Sequence, residues 1–174
     1  MPATECGRVW CWKHYDMATP IPSNEVQRLE ALRDYHILDT VAEQSYDDIT
    51  MLAAHICGVP IAMVSLVDKD RQWFKSKVGV VQQQTPRDVA FCAHTILGQE
   101  PLVVPDALED KRFAESALVK GEPHIRFYAG VPLINPEGSA LERYASLTVN
   151  PVNSRSTSSG RCKLWGARSW HCWS

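Results

Sequence analysis

The readable middle of the chain opens with two stretches of helical period and then changes to strand-like patterns. Val26, Leu29, Leu32 and Ile37 recur at near-helical spacing, and Asn24 with Gln27 has the form of a capping box. This predicts a helix of about three turns ending near His36. A second helix is predicted from Ser45, with Asp48 three residues on and Tyr46, Ile49, Leu52, Ala53 and Ile56 as its apolar stripe. Gly58 and Pro60 end it. Ile61–Val67 is apolar on both faces, as expected of a strand covered on each side. After the polar turn 68–70, Arg71–Val78 alternates like the returning strand of a hairpin. Residues 85–88 are expected to be a loop and 89–97 a helix. Leu102–Val104 is expected to be a short strand, 113–119 a short helix and 125–133 a strand. Helix, helix, hairpin, helix, strand, helix, strand is an α+β order with an antiparallel sheet, not a repeating βαβ pattern.

Composition shows where that domain stops. Of the 6 tryptophans only Trp73 lies in the middle of the chain, and 4 of the 6 cysteines (Cys6, Cys11, Cys162 and Cys172) lie in the flanks. No acidic residue follows Glu142, and residues 150–160 offer little to a core. The expected organisation is an N-terminal extension over 1–21 with Met17 as a natural start, a domain over 22–141, and a tail over 142–174. A chain of 174 residues has room for one sizeable core. The net charge of -2 gives no general attraction to nucleic acid or anionic membrane. No apolar run spans a bilayer and no secretory signal opens the chain, so a cytoplasmic protein is expected.

Five segments, 28–40, 59–79, 85–97, 101–115 and 124–133, closely resemble bacterial GAF domains in correct order. The nearest types stand alone or at the front of sensor histidine kinases and diguanylate cyclases. The resemblance implies a PAS-like α+β fold with helices packed on a central antiparallel sheet. It also implies a pocket between the sheet and the segment 88–97, and a regulatory, non-catalytic role in signal transduction. An unknown small molecule is the expected ligand, with a homodimer and a kinase or cyclase output module as expected partners. Such domains usually continue after Pro136-Glu137-Gly138-Ser139-Ala140-Leu141 with a sequence like GTLCVID, a central strand, and a last helix. Here the chain reads ERYASLTV. Codons for those eight residues, shifted by one added G, read G-T-L-C-V-I-D-R, and permitted codons can restore an amphipathic helix beyond. Residues 142–174 are therefore read as an out-of-frame, disordered tail, with the central strand and C-terminal helix lost. Each unpaired buried backbone group would cost about 1–3 kcal/mol. Several would exceed a marginal stability of ~5–15 kcal/mol, so weak folding is expected, with Arg143–Val149 a poor substitute strand.

Candidate chemistry centres on Phe91-Cys92-Ala93-His94. A thiol near an imidazole suits a nucleophile, a redox sensor or a metal ligand. Residues two apart on a helix point about 200° apart, however, so a buried Cys92 with a hydrogen-bonded His94 is the plainer reading. A bilin site would need Cys directly before His, and Ala93 intervenes. A reductase of free methionine sulfoxide using Cys92 is the enzymatic alternative, and a dimerisation module without ligand is another. Trp73 and Phe74 must face opposite sides of their strand, one to the core and one to the rim or pocket. Arg87 and Asp88 either hold an anionic ligand group or pair with each other. Asp106 is a candidate cap, and Arg126 and Tyr128 share a strand face that reaches either the pocket or solvent. No compact zinc spacing, Walker loop, G-x-S-x-G or H-E-x-x-H is present, so no metal or cofactor is expected. No basic stripe with interleaved aromatics suggests nucleic acid.

Overall fold

The computed structural model describes residues 20–136, 138 and 140–148. Helix α1 spans Glu25–Asp34. Asn24 makes no side-chain cap, and the first turn closes instead through backbone bonds from Glu25 N to Pro22 O and from Arg28 N to Asn24 O. Its inward face also differs from the expected stripe: Arg28 and Leu32 are buried while Val26 is 65% exposed. Helix α2 spans Gln44–Cys57 and ends on Gly58, whose left-handed conformation (φ 62°) suits glycine. Its buried positions are Thr50, Ala53 and Cys57, whereas Leu52 of the expected stripe is exposed. Thr50 is accommodated because its hydroxyl donates to Tyr46 O at 2.8 Å.

The sheet strands are β1 (Ile61–Val67), β2 (Arg71–Val78), β3 (Gln84–Pro86), β4 (Leu102–Val104), β5 (Phe127–Ile134) and β6 (Ala140–Thr148). They pair in the order β3-β2-β1-β6-β5-β4, every contact antiparallel. The α+β reading with a central antiparallel sheet holds. Part of the segment expected as a loop, however, is the edge strand β3, bonded to Arg71–Trp73.

The larger correction concerns the central strand, expected to be lost. β6 fills the slot between β1 and β5, with Met63 opposite Ala145 and Gly130 opposite the same residue on the other side. The ladder groups of β1 are thereby paired. The physical reason is that a central slot demands backbone donors and acceptors with β-compatible side chains, and Tyr144, Leu147 and Thr148 are strand formers. The expected C-terminal helix and the remainder of the tail lie outside the described residues, as does the N-terminal extension up to residue 19.

Helices and loops cover opposite faces of this sheet. On one face Leu32 packs with Leu66 and Trp73, and Ala53 with Ala62 and Val64. On the other lies the main core of Ile61, Met63, Phe74, Phe91, Phe113 and Tyr128 with their neighbours. Fully burying each large apolar side chain there contributes about 1.5–3 kcal/mol. Helix α3 is only Cys92–Thr95, and α4 is Ala117–Lys120 with Ser116 Oγ accepting from Leu118 N. Both are shorter than their periodicity predicts, because the connecting chain crosses the sheet as turns closed by local backbone bonds.

Candidate functional site

A shift in the β1–β2 register sets the site. Val64 faces Ser76 and Ser65 faces Phe74, leaving Lys75 as the extra residue of a bulge. Before the bulge, Gln72 and Phe74 point to the loop-covered face and Trp73 to the α1 face. After it, Ser76 turns toward α2 and donates to Asp47 Oδ1 at 2.6 Å. The bulged Lys75 is buried and satisfied, donating to Thr40 Oγ1 (2.6 Å) and Val41 O (2.9 Å) and pairing with Glu43 (2.5 Å).

Under α3 lies a cavity of about 60 Å³ walled by Met63, Gln72, Phe74, Phe91, Cys92 and Tyr128, with Ala90 and Ile125 beside them. Phe91 roofs it, stacked on Phe113 at 4.2 Å and tilted on Tyr128 at 5.2 Å. Cys92 is a free, buried thiol. Ser65 Oγ and Tyr128 Oη each donate to its sulfur at 3.6 Å, and Tyr128 Oη is 2.9 Å from Thr95 Oγ1. The lining residues are uncharged throughout. A space of this size holds roughly four water-sized atoms. An ordinary drug-sized pocket is on the order of 300–1,000 Å³, so only a very small occupant fits unless the roof lifts.

Of the residues singled out from the sequence, Phe74, Phe91, Cys92 and Tyr128 meet at this cavity. Trp73 is buried on the opposite face with Leu32 and Leu66. His94 packs edge-on against Phe113 at 4.8 Å, away from the Cys92 sulfur. Asp106 Oδ1 accepts from Leu108 N at 3.0 Å, capping its own turn. Arg126 ties down the end of α4, donating to Val119 O and Ile125 O. Arg87 pairs with Glu25 of α1 at 2.5 Å rather than with Asp88, and also donates to Asp68 O. Its Nε and Nη2, and Asp88 Oδ1, meet no protein partner.

Glu25 is the centre of a buried charge cluster absent from the sequence reading. Arg28, fully buried, donates to both Glu25 oxygens at 2.8 Å and to Val67 O at 2.6 Å. Burial pushes the Glu25 carboxyl up, but the hydrogen bonds from Arg28 and Arg87 outweigh it and hold the group at about 2. Gln72 was missed as well. Its only sequence signal is the i, i+2 spacing from Phe74, which places both on one strand face.

A larger open groove of about 520 Å³ runs between Asp39–Ala42 and β2. Its charges are already engaged: Lys75 as above, Lys77 with Val81 O and Gln82 O, and Asp39 with Arg71. The smaller cavity is the better candidate site, because its walls gather the aromatic roof, the free thiol and a buried amide. Among the described residues, no group of three or more His, Cys, Asp or Glu side chains is placed to hold a metal ion. No helix among them is long and apolar enough to cross a membrane.

Comparison with known proteins places this geometry in context. The family model of the GAF domain matches residues 42–166. A cyclic di-GMP phosphodiesterase of Pseudomonas aeruginosa is 42% identical over 126 residues, a match covering 72% of this chain and 22% of that protein. The chain thus spans about a fifth of the length of this relative. Among solved structures, the A. aeolicus nlh2 GAF domain in an inactive state aligns with a TM-score of 0.54 at 11% identity, covering 82% of this chain and 91% of that one. Free methionine-R-sulfoxide reductase from Neisseria meningitidis in complex with its substrate aligns with a TM-score of 0.55 at 13% identity, covering 82% and 83%. At these identities the likeness is one of fold.

Proposed function

The chain belongs to the GAF domain family, whose members are regulatory signalling domains, and on that footing we propose that it is a small-molecule sensor whose cavity occupancy is relayed to α1. One observation carries this reading. The segment that lines the cavity with Ala90, Phe91 and Cys92 begins at Arg87, which is bonded to Glu25 of α1. An occupant that lifts the roof must move this segment, and Arg87 then pulls on α1 through Glu25. Differential affinity for the two positions of that segment is what would convert binding into a signal.

The chain itself is proposed as non-catalytic and cytoplasmic, working as a homodimer, with its output carried by a separate domain. The phosphodiesterase relative supports an output in cyclic di-GMP turnover, ahead of a sensor kinase. Support for the non-catalytic reading comes from the Cys92 surroundings. A reactive thiolate is set up by a cationic or imidazole neighbour, whereas the contacts at this sulfur are the hydroxyls of Ser65 and Tyr128. The alternative of a thiol enzyme rests on the free Cys92 in the cavity wall. Turnover of free methionine sulfoxide that disappears in Cys92→Ser would establish it in place of the sensor.

The sensor reading is tested by a thermal-shift screen of the full chain against small neutral and anionic metabolites. Ala90→Leu, which fills the cavity from its wall, serves as control. Compounds that raise the melting temperature of the wild type and not of Ala90→Leu are the expected result. A screen in which every stabilising compound acts equally on both proteins contradicts it.

A further inference from the structure

The geometry points to an occupant that is small, uncharged and carries an amide-like edge, an N–H donor beside a C=O acceptor, read by the side chain of Gln72. This inference rests on the sensor reading of the cavity and names the ligand class for it.

Gln72 is 4% exposed and stands in the cavity wall. A primary amide offers two donors and a strong acceptor. Here its nitrogen reaches only the Met63 sulfur, at 3.6 Å, a weak acceptor. Buried amides left in this state are rare, because the hydrogen bonds lost with water are not replaced. The other polar groups of the wall are accounted for. The hydroxyls of Ser65, Thr95 and Tyr128 are engaged with Cys92 or with one another. Thr85 and Gln82 are partly exposed at the mouth. Gln72 is therefore the polar wall group whose side chain has a sulfur as its one protein partner.

The partner that completes a primary amide in two bonds is another amide edge, such as a carboxamide or a lactam. Charge is disfavoured from the other side: no lining residue is ionisable to a cation or a carboxylate, so an ionic occupant would enter without a counter-charge. The apolar walls of Met63, Phe74, Phe91 and Ile125 accept the hydrocarbon part of such a molecule. The free space fits a body of roughly four heavy atoms, and any larger molecule of this class must lift the roof.

The test is a titration of the full chain followed through the side-chain amide resonances of Gln72 and, in wild type and variants alike, the backbone amide resonances of Phe91 and Cys92. The probes are acetamide, acetone (acceptor only), acetate (anionic) and xenon under pressure. Acetamide is expected to shift the Gln72 resonances saturably, with acetone binding about tenfold more weakly, the equivalent of one hydrogen bond, and acetate not binding. Gln72→Leu and the closer isostere Gln72→Met should each weaken acetamide about tenfold and leave xenon entry unchanged, so a folding defect in one variant does not decide the result. Equal binding of acetamide and acetone, preference for acetate, or undiminished acetamide binding in both variants overturns the assignment. Xenon entering while acetamide does not overturns it as well and leaves the sensor reading standing. Exclusion of every probe, xenon included, overturns both.

Discussion

Glu25 binds two arginines at once, Arg28 and Arg87, and much of the local stability rests on that contact. Arg28 is fully buried, so removing its carboxylate partner leaves an uncompensated charge inside the protein. Glu25→Ala is expected to destabilise the chain by about 3 kcal/mol, measured by urea unfolding at neutral pH. The folded carboxyl is held at about 2, below its ordinary 4.5. A depressed folded value stabilises above the unfolded one, so the contribution is complete above pH 4.5 and fades as pH falls toward 2. The stability gap between wild type and Glu25→Gln should therefore be constant above that range and close within it. Gly130 makes a second, independent case. A Cβ there would lie 2.2 Å from Tyr128 Oη, because the tyrosine ring lies along its own strand over the glycine. Gly130→Ala should cost about 1–3 kcal/mol by overpacking and should displace Tyr128 from Thr95 and Cys92. A crystal structure of the variant with Tyr128 unmoved would contradict that. Neither Glu25 nor Gly130 stands out in the sequence, since Glu25 reaches Arg87 across 62 residues and the space over Gly130 is set by how the Tyr128 ring lies. Phe91, Cys92 and Tyr128 do stand out, as aromatic or thiol side chains in apolar segments.

At the scale of elements, long runs were legible and short ones were not. β1 reads as a doubly covered strand and is buried along its whole length. α2 reads correctly in extent, because Gly58 fixes its end chemically. Its stripe is rotated, since the back-bonded Thr50 turns inward where Leu52 was expected. Residues 85–97 resisted reading: a three-residue edge strand and a four-residue helix are too short to display a period. β6 is the instructive element. Its sequence departs from what usually follows in this family, yet Ala140–Thr148 pairs along both neighbours. A central slot reads the backbone and strand propensity more than residue identity, so ERYASLTV serves where another sequence was expected. Its removal is correspondingly severe. A chain ending before Ala140 leaves facing edges of β1 and β5 unpaired and should lose the cooperative thermal transition expected of the full chain. A truncated chain that melts as cooperatively as the full one would contradict the central placement of β6.

The described residues form a sheet with the candidate cavity on one face and α1 on the other. Phe91, Cys92 and Tyr128 close a small cavity on one, while α1 lies on the other with Leu32 against Trp73. Arg87 joins them around the end of the β1–β2 hairpin, bonded at once to Asp68 O, Lys69 O and Glu25. The family could be read from the sequence because the pattern of segments survives over most of the domain. The Arg87–Glu25 contact could not, because it depends on where the chain folds back on itself. The most direct test fills the cavity without needing a ligand: amide hydrogen exchange over Glu25–Asp34, compared between the wild type and Ala90→Leu. Filling the cavity is expected to alter exchange in α1, with no such change when Glu25→Gln is also present. Exchange in α1 that is the same in wild type and Ala90→Leu, with both proteins folded, would contradict the claim that the cavity speaks to the helix.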